Sequence, residues 1–119
     1  MGITEATLIG ALWVTSYRSV QEQTDASPHF TSIGHHVSQE GVAVSPDLMA
    51  SGTACYGDAL IVEGEGVRVV NDVMHPRLQQ SVDLWVDSYK EEKRIGKSKK
   101  KVWVLRSPTR YCNKKDRSK

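Results

Sequence analysis

Basic residues are scarce in the first three quarters of this 119-residue chain. Residues 1–89 carry three (Arg18, Arg68 and Arg77) against eleven acids, a net −8; residues 90–119 carry thirteen Lys and Arg against three acids, a net +10. The formal charge of +2 conceals that split. A basic end on an acidic body suits a polyanionic partner, or it is a solvated tail that aids solubility. Cysteine is nearly absent too, with only Cys55 and Cys112. Two cysteines make no disulfide framework, and Cys55, in Gly-Thr-Ala-Cys-Tyr-Gly, reads as a small buried core residue. Both are therefore expected to be free. No apolar run reaches the ~18 residues of a membrane span. Met1-Gly-Ile-Thr-Glu has neither the basic nor the apolar region of a secretory signal. His35-His36 and the Asp72/His75 pair lack the spacing of a zinc motif, so no metal and no cofactor is expected. No repeat, internal linker or nucleophile motif is present.

One domain fits this length, and it can bury roughly two thirds of its unfolded surface. Six short apolar runs read as strands, at about Leu8–Tyr17, Gly41–Ser45, Ala59–Glu63, Val67–Asn71, Val82–Val86 and Lys101–Leu105. Glu63-Gly64-Glu65-Gly66 reads as a hairpin turn. Ser88-Tyr-Lys-Glu91 is a capping box that opens a short helix over Tyr89–Ile95, closed by Gly96. Ser45-Pro46-Asp47-Leu48-Met49 reads as one helical turn. Residues 18–40 are polar and read as a long loop, which in a small domain tends to be functional. Six strands with one or two short helices predict a mostly β fold, a small closed barrel. Trp85 and Trp103 alternate with apolar neighbours and are expected in its core.

Two aspartates interrupt the apolar runs. Asp72 follows Val67 to Val70, and Asp83 lies within Val82 to Val86, eleven residues further on. Burying a carboxylate costs several kcal/mol unless it is compensated, so acids here call for a reason. A third, Asp25, stands among turn residues in Gln23-Thr24-Asp25-Ala26-Ser27-Pro28-His29-Phe30-Thr31. On the residues alone, two readings stay open. The three are rim acids bonded to backbone, or they converge on one cleft.

The pattern resembles the three-aspartate domain family, from about Trp13 to Leu105. The matching pieces are Thr24-Asp25 with Ser27-Pro28 and Thr31, then Gly34, then Gly41-Val-Ala-Val-Ser45. Gly52-Thr53 follows, then Asn71-Asp72 with Met74-His75-Pro76-Arg77, Val82-Asp83-Leu84-Trp85, and Val102-Trp103-Val104-Leu105. Many family members carry Gly-Gly and Lys after the second aspartate, where this chain has Val-Met-His-Pro-Arg. That variant looks like a phage or Gram-positive branch. The resemblance implies a six-stranded double-psi β-barrel, related to membrane-bound lytic transglycosylase A, rare lipoprotein A and the expansins. It implies a domain over residues 1–112 and a basic tail over 113–119.

The resemblance also implies a peptidoglycan lytic transglycosylase, with Asp83 as the catalytic acid. Asp25 and Asp72 would support it; Thr31 and Gly34, which follow the first aspartate, either line the groove or belong to a loop packed by its own side chains. A single carboxyl can serve such a reaction, provided that an apolar setting lifts its pKa. The expected partners are peptidoglycan strands, with anionic wall polymers at the basic end, and the expected state is a monomer. Its place of action would be the bacterial cell wall, reached by holin release, on a virion, or after loss of a signal. Two other functions compete. One is a non-catalytic wall-binding or virion module on the same barrel. The other is a nucleic-acid accessory protein, resting on the basic end alone.

Overall fold

A computed structural model describes residues 5–18 and 41–113. Six strands are present: β1 (Thr7–Tyr17), β2 (Gly41–Val44), β3 (Ala59–Val62), β4 (Gly66–Val73), β5 (Ser81–Trp85) and β6 (Ser98–Leu105). Two short helices join them, α1 (Pro46–Ala50) and α2 (Tyr89–Ile95). The strands close into a barrel in the order β1-β5-β2-β4-β3-β6. β1 runs parallel to β5 and β2 parallel to β4, while every other pair is antiparallel. This closed mixed barrel with two short helices is the architecture expected, and it is compatible with a double-psi barrel.

Alternation builds the core. Leu12 and Val14, Val42 and Val44, Leu60 and Val62, Val82 and Leu84, and Val102 and Val104 all point inward and are buried. Their neighbours point outward. Trp85 and Trp103 are among those neighbours, which corrects the expectation that they are core. Each is only partly buried, because valine and leucine on either side already hold the inner face. β6 starts three residues before its apolar run. Lys99 and Lys101 face solvent, where strand geometry accepts lysine.

Local signals act as written. Ser88 caps α2 by accepting the Glu91 N–H, and Gly96 ends it with φ 55°. The β3–β4 hairpin turns through Gly64 and Gly66, at φ 79° and 82°. Glu91 and Glu65 instead both grip Arg94, which joins α2 to that hairpin.

A clasp fastens the end of the barrel, and here the free-cysteine expectation is corrected. Tyr56 and Tyr111 exchange two backbone hydrogen bonds, and their rings lie 5.1 Å apart. That antiparallel bridge makes residues 55 and 112 neighbours across it. Their Cα atoms are 4.7 Å apart and the two cysteines form a disulfide. Asp58, fully buried, anchors the same clasp. It accepts the Cys55 and Ser107 N–H groups and pairs with Arg110 at 2.9 Å. Arg110 also donates to the Gly52 carbonyl. A buried carboxylate is tolerated there because every side of it meets a donor.

Candidate functional site

Register brings Asp83 and Asp72 to one face. Thr15 of β1 pairs with Asp83 of β5, Asp83 with Ala43 of β2, and Ala43 with Asp72 of β4. The row runs across four neighbouring strands on the outer side of the barrel. Ala43 lies between the acids, and its small, buried side chain puts nothing bulky in the row between them. Two strand spacings put the acid backbones about 10 Å apart.

A bulge in β4 makes the row possible. Val42 pairs with Val70, but Ala43 pairs with Asp72, so Asn71 has no partner. Regular alternation would have turned Asp72 inward, on the side of Val70. The extra residue turns it outward beside Ala43. Asn71 then folds in, where it is buried and its Oδ1 has no hydrogen-bond partner. Its side chain fills the space next to Gly41. A Cβ on Gly41 would lie 2.5 Å from Asn71 Nδ2, so any larger residue there would have to displace the Asn71 amide.

Asp83 is partly buried and its pKa is raised to about 6. Burial is the main cause, and the charges of Asp72 and Glu92 add to it. Thr15 works the other way: its Oγ1 donates to Asp83 Oδ1 at 2.9 Å and favours the ionised form. Asp72 Oδ1 accepts the N–H of Val73 at 2.9 Å. Glu92 is itself held by Arg18 at 3.0 Å, which ties α2 to the end of β1.

Tyr17 and Arg68 complete the surroundings. Tyr17 lies two residues beyond Thr15 on the same outer face and pairs with Trp85. Burial first, then the charges of Asp72 and Asp83, push its hydroxyl well above the ordinary tyrosine range, with Arg68 opposing them. Tyr17 thus stays a neutral donor beside two acids. Arg68 Nη1 donates to the Trp85 carbonyl at 2.8 Å and to the Gly41 carbonyl at 3.3 Å. It bridges the ends of β5 and β2.

Asp25, Thr31 and Gly34 lie outside the described residues, as does the His35-His36 pair. His75 sits in the exposed turn after β4, where its Nδ1 accepts the Arg77 N–H. Among the described residues no group of three or more His, Cys, Asp and Glu side chains converges as a metal site would require. Thr15, Tyr17 and Arg68 were not singled out from the sequence. Their one signal is polarity, within the Thr15-Ser16-Tyr17 end of β1 and among the valines that open β4. No family model matches the chain, and no curated protein matches it.

Proposed function

We propose that this protein cleaves peptidoglycan glycan strands as a lytic transglycosylase, with Asp83 as general acid and then general base. The observation that carries the reading is a partly buried carboxyl with a pKa of about 6, held by Thr15 in a row with Asp72. Near neutral pH such a group exists in both the acid and the base forms. Protonated Asp83 gives its proton to the oxygen between N-acetylmuramic acid C1 and the next sugar. The C1–O bond breaks and positive charge develops at C1. The C6 hydroxyl of the same muramic acid attacks C1, and its proton passes to the Asp83 carboxylate. The acid is regenerated, no water is consumed, and the products are a 1,6-anhydro end and a free hydroxyl. Asp72 raises the proton affinity of Asp83, and its negative charge stabilises the cationic transition state. Neutral Tyr17 supplies a hydrogen-bond donor beside the reacting sugar.

The spacing of Asp25, Asp72 and Asp83 and the flanking motifs support membership of the three-aspartate family, and with it a phage or prophage setting and action at the cell wall. Asp25, Thr31 and Gly34 are the further residues proposed to hold the glycan. The test is incubation with purified sacculi and mass spectrometry of what is released. Anhydro-muropeptides are expected. Reducing ends would mean a hydrolase, and no release would mean a binding module.

A further inference from the structure

We propose that the outer face of β1 and β6 around Trp13 binds a phosphodiester-linked anionic wall polymer, a docking surface that adjoins the Thr15 end of the aspartate row and runs away from it along β6. The choice of a wall polymer rests on the peptidoglycan reading above; the surface itself does not. Trp13 is exposed at the surface, which is uncommon for so large an apolar ring. Two ammonium groups lie over it, Lys97 Nζ at 5.0 Å and Lys99 Nζ at 5.2 Å from the ring centre. Lys101 follows on the same outward register of β6, opposite Ala11 of β1. Among the described residues no carboxylate forms an ion pair with any of these three lysines. The nearby Glu63 carboxylate accepts the backbone N–H of Lys101 instead.

The surface therefore presents Lys99 and Lys101 at alternate positions of β6, with Lys97 just before the strand and beside the same ring. Alternate strand residues are about 6.6 Å apart, a spacing that a flexible phosphodiester chain can match with successive phosphates. Ala11 leaves the strip shallow between the lysines, so a chain can lie along it. The ring gathers the ammonium groups before any partner arrives, which lowers the ordering cost of binding. The same ring argues against single-stranded nucleic acid. Stacking proteins leave an aromatic face free for a base, whereas here ammonium groups occupy it. Lysine rather than arginine also suits recognition by charge alone. The strip lies within the strongly basic part of the chain, so long-range attraction and local geometry agree.

The experiment is titration of the intact protein with purified poly(glycerol phosphate) teichoic acid, at low and moderate salt. Changing Lys97, Lys99 and Lys101 together to Gln is expected to weaken binding by about tenfold or more and to flatten its salt dependence by about two to three counterions. Trp13→Leu, which keeps all the charge, is expected to weaken it about threefold through lost preorganisation. A control with equal charge loss at Arg77, Lys90 and Arg106 should bind much more tightly than the lysine triple. Equal loss in the two triples would show that only net charge matters and would overturn the surface. Tighter binding of single-stranded DNA than of teichoic acid by the wild type would overturn the assigned partner. On sacculi stripped of wall polymer, the lysine triple should release products at the wild-type rate. A lower rate there would make the strip part of the glycan groove and overturn a docking role of its own. Polymer binding without any glycan cleavage by the wild type would leave the docking surface standing and remove the enzymatic reading.

Discussion

Asp72 faces the same side of the barrel as Asp83 because Asn71 bulges out of the β2–β4 ladder. The bulge in turn rests on Gly41, whose missing side chain makes room for the Asn71 amide. The geometry of the candidate site thus depends on a residue that carries no chemistry.

Gly41→Ala should therefore disturb the site from a distance. The new methyl would collide with the buried Asn71 side-chain amide, costing about 1–3 kcal/mol by overpacking. Asp72 should shift relative to Asp83, and activity should fall. The double variant Gly41→Ala/Asn71→Ala removes the collision and should recover much of the lost melting temperature. Equal melting temperatures for the single and the double variant would show that the contact does not matter.

Thr15→Val tests the opposing forces on Asp83. The lost hydrogen bond favoured the ionised carboxylate, so its removal raises the pKa from about 6. A shift of roughly one unit corresponds to the net strength of such a bond. Carbon-13 NMR titration of the aspartate carboxyls would read it directly. The basic limb of the pH–rate profile should move upward by a similar amount. A pKa that stays put or falls would mean that Thr15 does not hold the ionised form.

The clasp gives a third expectation. Cys55 and Cys112 are separated by 57 residues, and closing a loop of that length stabilises the fold by about 4 kcal/mol in the chain-entropy picture. Cys55→Ser/Cys112→Ser, or reduction of the wild type, should lower the melting temperature by many degrees. Intact mass with thiol labelling should find no free thiol in the untreated protein. Two labelled cysteines without reduction would mean that the clasp is held by Asp58, Arg110 and the tyrosine bridge alone.

Local signals carried most of the fold in the sequence. The strands, the hairpin glycines and the Ser88 cap are written in neighbouring residues, and each acts where it is written. What was not legible depends on partners distant in the chain. Nothing in Val-Val-Asn-Asp announces a bulge, because it is defined against β2, some thirty residues earlier. Cys55 and Cys112 read as free because the Tyr56–Tyr111 bridge that joins them is a long-range pairing. Trp85 and Trp103 read as core because they alternate with apolar neighbours, but those neighbours, such as Leu84 and Val104, hold the inner face, and parity turns the tryptophans outward. Asp83 stood out because it is an acid in an apolar strand. Thr15 became visible as its partner only once β1 lay beside β5.

Asp83→Asn separates catalysis from folding. Asparagine is nearly the same size, and its amide oxygen can still accept the Thr15 hydroxyl. It cannot carry the proton, so cleavage should fall by at least the ~10²–10⁴-fold of general acid–base catalysis. Stability should move the other way. The folded pKa of about 6 lies above the ordinary aspartate value of 3.8, so the native state holds a proton that the unfolded chain releases between those pH values. Wild-type stability therefore falls as pH rises from about 4 to about 6, and the penalty is fully present above that range. Its size is on the order of 3 kcal/mol at neutral pH. The variant has no charge to bury and escapes the penalty. Its melting temperature should match wild type near pH 4 and exceed it by several degrees at pH 7.5. A variant that releases anhydro-muropeptides at the normal rate would end the catalytic assignment. One that melts lower than wild type at every pH would instead make Asp83 a structural partner of Thr15.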